Sequence, residues 1–307
     1  MDPTNLAAFV AIAEAGGFSA AARRLHLTQP AVSKRVALLE EQLRLRLFDR
    51  LGRQVVLTEA GEALLPRARH ILAELDDARR ALDNLGGEIS GSLQLATSHH
   101  VGLHRLPSLL RRFAARHPQV ALDIRFMDSE QAHEQVLRGE AELAVITLAP
   151  ESRPPLLATP IWDDPLALVV APDHPLAALT NPSLEQIAAH PAVLPDAATF
   201  THQIIAARFA EHGLQPQLRM CTNYLETIRM LVSVGLAWSV LPRSMLDEQV
   251  QVLSVPDLDL RRQLGHVSRS GRTLSRAARA FISLLQEHAD PFPAHGINEP
   301  TGLILEV

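Results

Sequence analysis

Apolar residues in the first part of the chain recur at helical spacing. Leu6, Phe9, Val10 and Ala13 share one face over Thr4 to Ala15, and Gly16-Gly17 ends that helix. Ser19 is expected to cap a second, short helix from Ala20 to Leu25, whose small residues permit close approach of a neighbour. After a His-Leu-Thr break, Thr28 caps a third helix with Pro30 in its first turn. Val32, Val36, Leu39 and Leu43 form a single apolar stripe on it, while Gln29, Pro30, Ser33 and Lys34 lie on another face near its positive end. Leu47 and Phe48 then offer themselves to the same core. A turn at Gly52 and the run Gln54 to Leu57 predict a two-stranded wing with Arg53 at its tip.

The pattern next lengthens. Thr58 is placed to cap a helix running to about Leu85, with Pro66 expected to kink or loosen its first turns. Leu64, Ala68, Ile71, Leu75, Ala78, Leu82 and Leu85 recur as alternating fours and threes, the a/d pattern of a coiled-coil seam between two chains. Gly86-Gly87 and Ser90-Gly91-Ser92 follow as a hinge. Beyond it, β-rich runs alternate with helical stretches. Residues 93–96, 121–127 and 142–147 read as strands around helices at about 103–117 and 129–139. A second series begins at 165–171 and continues through 192–195, a helix from Phe200 to His212, a helix from Tyr224 to Val234, and the run before Pro242. Residues 261–270 are read as a strand returning to the first series, before a last helix from Ser275 to His288. The expected fold is α/β: an α-rich winged helix-turn-helix head, a long dimerisation helix, and two lobes joined by two crossing strands around a cleft.

Charge sharpens this reading. Between Ser19 and Leu57 stand eight Lys/Arg against three acids, about +5 in a chain whose net charge is −5, so the rest carries about −10. A basic head on an acidic body suits contact with a polyanion at one end. Cys221 is the single cysteine, which excludes an internal disulfide framework and fits a reducing compartment. The first residues carry no basic leader or cleavable apolar segment, and no apolar run reaches membrane-spanning length, so a soluble cytoplasmic protein without membrane contact is expected.

The candidate chemistry is recognition. The stripe on the third helix anchors it and leaves Gln29, Ser33 and Lys34 free to meet base edges and phosphates in a major groove; Arg53 is placed for the minor groove. In open α/β sheets ligands sit beyond the carboxyl ends of strands, and the first such place is Thr97-Ser98-His99-His100. Hydroxyls and backbone N–H groups there suit a carboxylate, although plain helix capping explains Thr97 or Ser98 taken singly. His100 and His104 share a helix face, but no neighbouring acid or cysteine at suitable spacing completes a metal site. Phosphate loops, dinucleotide fingerprints, nucleophile elbows and zinc-protease motifs are missing from the sequence, so neither an enzyme nor a cofactor is expected.

The order F-S-A-A-A-x-x-L-H-L-T-Q-P-A-V-S-K, then L-F-D-R, then L-T-E-A-G, densely matched over about the first 65 residues, resembles the N-terminal domain of LysR-type transcriptional regulators. The resemblance implies Gln29, Pro30, Ser33, Lys34 and Arg53 as the residues at DNA. It also implies a homodimer or homotetramer on double-stranded promoter DNA, a partnership with RNA polymerase, and a periplasmic-binding-protein-like effector domain. Its effector pocket implies Thr97, Ser98, His99 and His100, Ile146-Thr147, and Thr199, Phe200 and Thr201, with a small acid as ligand. Arg44 departs from the family, which usually has glycine after the recognition helix. The cysteine pair of the family's peroxide sensors is also lacking. Trp238, where the family more often has a smaller residue, fits a pocket wall and a lobe core equally. The expected boundaries are 1–58 for the head and 59–88 for the linker helix and hinge. The effector domain is expected at 89–295 (first lobe about 92–161 and 266–290, second about 162–265), with a tail of unread role at 296–307. The alternatives are a cytoplasmic solute-binding protein and a DNA-binding protein without an effector.

Overall fold

The structure, a computed structural model, describes residues 1–51, 54–83, 88–256 and 258–290. Arg53, Leu85, the Gly86-Gly87 hinge and the tail from 291 onward lie outside them.

The head comprises α1 (Pro3–Ala15), α2 (Phe18–Arg24) and α3 (Gln29–Leu43), followed by the hairpin β1 (Phe48–Leu51) and β2 (Gln54–Leu57). Asp2 caps α1, and Gly16 ends it in the left-handed region at φ 70°. Ser19 is not the cap of α2: that helix starts earlier, at Phe18, with Gly17 as its N-cap and no side-chain cap bond. Phe18 is drawn in because its ring sits edge-on to Phe48, 5.9 Å between centroids. Thr28 does cap α3, accepting from Ala31 N. Leu6, Phe9, Ile12, Val32, Val36, Leu39 and Leu47 form the buried core, and Ala21 and Ala22 let α2 come close. Arg44 ends α3 in the left-handed conformation, φ 55° and ψ 32°, at a cost of about 1 kcal/mol relative to glycine. Two features offset that strain. Leu45 N donates to Glu40 O at 3.2 Å, and the Glu40 carboxylate accepts from Leu47 N at 2.7 Å, tying the recognition helix to the wing.

Helix α4 (Glu59–Asp83) continues through Pro66, with Thr58 accepting from Gly61 N as its cap. Its apolar stripe divides. Ala68 is fully buried, and Leu64 and Ile71 are half-buried, against the head's own core. Leu75, Ala78 and Leu82 are exposed, Leu82 to 68%. Within one chain α1 lies against the part of α4 that carries Leu64, Ala68 and Ile71, and Ala68 is wholly enclosed there.

The body alternates β3 (Gly91–Thr97), α5 (His99–His104), α6 (Pro107–Arg116), β4 (Val120–Phe126), α7 (Ser129–Arg138) and β5 (Leu143–Thr147). The helix expected over 103–117 is two helices, because Pro107 restarts the chain at α6. The long strand β6 (Leu156–Val170) leaves this lobe. It leads to α8 (Leu184–Ala188), β7 (Pro191–Leu194), α9 (Phe200–Ala210), β8 (Gln217–Cys221), α10 (Leu225–Ser233), β9 (Ser239–Pro242) and the short β10 (Gln251–Val252). Strand β11 (Arg261–Arg269) returns, and α11 (Arg276–Gln286) packs on the first lobe.

In the main sheet the order is β10-β6-β11-β5-β3-β4, with β9 also on β6. Strands β4, β3 and β5 are parallel, whereas β11 is antiparallel to both β5 and β6. The two crossing strands thus pair with each other, with a register shift between Leu264 and Gly265. Each lobe keeps its own core, one around Phe113, Leu143 and Phe281, the other around Ile205, Phe209 and Trp238. Trp238 is lobe core: it is fully buried, stacks on Phe209 at 5.4 Å, and donates its indole N–H to His190 O at 2.9 Å.

Candidate functional sites

In the head, Gln29, Pro30 and Lys34 are exposed and Ser33 is half-buried, all at the start of α3. The buried stripe of Val32, Val36 and Leu39 holds the helix while these side chains face outward. The turn before α3 is made by His26 in the left-handed region, φ 53°, with Leu27 N bonded back to Ala22 O.

In the body, a cavity of about 50 Å³ lies where the two lobes meet. Ser98, His99, His100 and Thr147 line it from one side, and Thr199 and Thr201 from the other. Three of the expected residues do not line it: Thr97, Phe200 and Ile146, the last of which is fully buried in hydrophobic core. Thr97 is fully buried and its hydroxyl is committed to Val145 O at 2.7 Å, across the strand pair β3–β5. The Phe200 ring turns away to meet His133, 5.7 Å between centroids, so Phe200 brings only its backbone N–H.

The structure adds residues that sequence reasoning missed. Arg262, on β11, is buried to 3% side-chain exposure and stands directly opposite Asp164 on β6 in the ladder. Its Nε donates to Asp164 Oδ2 at 2.8 Å and its Nη1 to Thr201 Oγ1 at 2.9 Å, while Nη2 has no partner. Ser98 Oγ is likewise buried and unpartnered. Burial, with Arg262 next in importance, pushes the His100 imidazole down to about 3, so it is neutral at ordinary pH. Neither His100 ring nitrogen has a hydrogen-bond partner, and Nε2 lies 3.7 Å from Asp164 Oδ2. Buried polar atoms left in this way cost free energy unless a ligand or water satisfies them. The signal for Arg262 was its position in R-R-Q-L-G-H-V, where period two sets it on the face of Leu264.

The start of α7 was also missed. Asp128, Ser129 and Glu130 are consecutive and make three separate ties. Ser129 Oγ accepts from Thr147 N at 3.2 Å within the first lobe. Asp128 Oδ2 accepts from Asn223 Nδ2 at 2.8 Å, and Glu130 Oε1 accepts from Phe200 N at 2.6 Å, both from the second lobe. His104 and Glu226 add a further cross-cleft pair at 2.9 Å.

The profile described as "LysR substrate binding domain" matches residues 86–290, and that of the "Bacterial regulatory helix-turn-helix protein, lysR family" matches residues 3–62. The chain belongs to the LysR family. This regulator is 32% identical to the RuBisCO operon transcriptional regulator of Allochromatium vinosum over 93% of its own length and 95% of that protein. It is 70% identical to an HTH-type transcriptional regulator in the ibpB-leuC intergenic region of Azotobacter vinelandii, over 35% of its own length and 74% of that protein. Its fold is similar to that of full-length CbnR complexed with its target DNA, with a TM-score of 0.63 at 23% identity, covering 94% of this chain and 100% of that one. A LysR-type regulator is a ligand-responsive transcription factor with a DNA-binding head and an effector-binding body. Among the described residues, no single helix is long and apolar enough to cross a membrane.

Proposed function

We propose that this regulator reads promoter DNA as a homo-oligomer through Gln29, Pro30, Ser33, Lys34 and Arg53, and senses a small carboxylate-bearing metabolite between its two lobes. The proposed units are a head to residue 58, a linker from 59 to 88 and an effector domain from 89 to 295. The site of action is cytoplasmic promoter DNA shared with RNA polymerase, and the chain performs no catalysis. The effector moves the body, and α4 carries that movement to the paired heads. The observation that carries the ligand reading is that Arg262 Nη2 and Ser98 Oγ, both buried and without hydrogen-bond partners, belong to residues lining one interlobe cavity. An arginine donor and a hydroxyl are the complement of a carboxylate. The effector set retained in the reading is Ser98, His99, His100, Thr147, Thr199 and Thr201 with Arg262, and with the N–H of Phe200.

The experiment is a thermal-unfolding screen of the full chain against small carboxylates, followed by footprinting on its promoter with each hit. A ligand at about 100 times its dissociation constant adds about 2.7 kcal/mol. A hit that alters the footprint and is lost in Arg262→Met supports the reading. Ligands that bind yet leave footprint and promoter output unchanged overturn it.

A further inference from the structure

Helix α9 belongs to the second lobe, but its first N–H does not point into an open cleft. A carboxylate from the other lobe, that of Glu130, reaches across to accept it at 2.6 Å. The first turn of α9 is the positive end of an eleven-residue helix, and Thr201 in the same turn holds Arg262. Arg262 presents an unpartnered Nη2 from a guanidinium almost wholly withdrawn from solvent. These groups together make an anion seat, and one oxygen of Glu130 is already in it.

Size and charge bear on what happens when a ligand arrives. The cavity of about 50 Å³ compares with about 150 Å³ for one that holds benzene, so as it stands it takes a small carboxylate group and not a whole ring acid. Carboxylates already crowd the seat: Asp164 is shared by Arg262 and Arg105, and Asp128 lines the cavity together with Glu130. Two carboxylates at one site repel each other.

We infer that Glu130 is a tethered occupant of the effector's acid seat, and that an effector binds by exchanging its own carboxylate for that of Glu130. Seated there, Glu130 ties the lobes through α9, beside the Asp128–Asn223 and His104–Glu226 pairs. An incoming acid takes the Phe200 N–H and releases α7, so binding breaks one interlobe tie as it makes another. Burial pushes the Glu130 carboxyl up, which eases its release as the neutral acid. The exchange also sets a threshold. With Glu130 seated about 90–99% of the time, the apparent affinity for an acid is about 10- to 100-fold below that of the empty seat.

This inference rests on the carboxylate reading of the cleft, and its test uses neither DNA nor the natural effector. Acetate is the probe, as the smallest carboxylate with the methylene-side geometry of Glu130. In the full-length Glu130→Ala protein, small-angle scattering is expected to show parted lobes. Acetate should restore compactness and raise the melting temperature by several degrees. The wild type should need at least about tenfold more acetate for the same response. Glu130→Asp, which keeps the charge but is shorter by one methylene, should become acetate-sensitive in the same direction and covers the case of an alanine variant that folds poorly. An equal acetate response in wild type and variants, or folded variants that stay compact and ignore acetate, overturns the exchange. Either result leaves effector-controlled transcription to be judged by its own footprint. Conversely, a promoter indifferent to every ligand does not alter the acetate comparison.

Discussion

Arg272 and Asp77 join the effector body to the linker helix across 195 positions of sequence. Arg272 Nε lies 3.2 Å from each Asp77 oxygen and its Nη2 3.1 Å from Oδ1. The same guanidinium donates to Gly139 O at 2.9 Å and Ala73 O at 3.2 Å, so it clasps the helix by side chain and backbone at once. Burial works against the Asp77 carboxylate, yet the bonds from Arg272 and Arg80 outweigh it and hold its pKa below the usual value. Arg272→Met removes one of the two arginines on Asp77 and the backbone bonds to α4, leaving Arg80 as the remaining partner, and is expected to cost about 1–2 kcal/mol. Calorimetry should show the loss. If effector binding survives in this variant while the footprint change disappears, the clasp carries the signal; an unaltered footprint response would place the coupling elsewhere.

Gln29→Ala and Ser33→Ala should each weaken binding at a cognate promoter site by about 1–3 kcal/mol and leave random DNA nearly untouched. Arg53→Ala should weaken both alike and flatten the salt dependence. Anisotropy titrations on the two DNAs at several salt concentrations decide this, and equal losses for Gln29→Ala would remove it from the base-reading set.

Leu75→Glu should shift the protein from oligomer to monomer without harming the fold, since Leu75 is 37% exposed within one chain. Ala68→Glu should instead unfold the head, because Ala68 is fully buried in it. Sedimentation velocity with circular dichroism separates the two results. A Leu75→Glu protein that still runs as a dimer at low concentration would exclude the exposed part of α4 from the seam.

Gly61 in the L-T-E-A-G stretch is there for space. A Cβ at this position would lie 2.3 Å from the Leu47 carbonyl oxygen, which Thr58 N also bonds, and 2.9 Å from a methyl of Leu57. Backbone cannot yield as a flexible side chain can. Gly61→Ala is expected to cost about 1–3 kcal/mol and to loosen the head from α4. Thermal unfolding of the variant checks it; an unchanged midpoint would mean that α4 shifts freely on the head.

His100 gives the body an acid-side weakness. Its folded pKa is depressed from 6.5 to about 3, so the neutral form is required for folding. The stability tied to it is fully present above pH 6.5 and is lost as pH falls toward 3. Between pH 6.5 and 5 the loss amounts to about 2 kcal/mol. Burial lowers His266, His133 and His174 as well, so the slope is shared. Denaturant unfolding of wild type and His100→Gln across this range should show a shallower slope in the variant, and identical slopes would contradict it.

The head was legible because its signals are local: Thr28 caps α3, Val32 to Leu39 set its buried face, and Gly16 stops α1 within a few residues of where each acts. The division of the α4 stripe was not, because periodicity reports that a face is apolar and not which neighbour covers it. Ser19 misled for a similar reason, since the Phe18 contact with Phe48 starts α2 earlier than capping chemistry alone would. The cleft was half legible. Ser98, His100 and Thr147 follow strand ends, where chain order points to a site. Arg262 meets Asp164, 98 positions away, only when β6 and β11 pair, and Glu130 meets Phe200, 70 away, only once the two lobes are brought face to face.

The pairing of β6 with β11 has a mechanical consequence. Both passages between the lobes are neighbouring rungs of one ladder, so they form a single fulcrum. Any relative motion of the lobes therefore turns about these paired strands. Arg272 grips α4 three residues beyond the end of β11, on the side of the first lobe, which makes that lobe the fixed arm. The second lobe is the lever. A ligand that changes the angle between the lobes does so about this one strap.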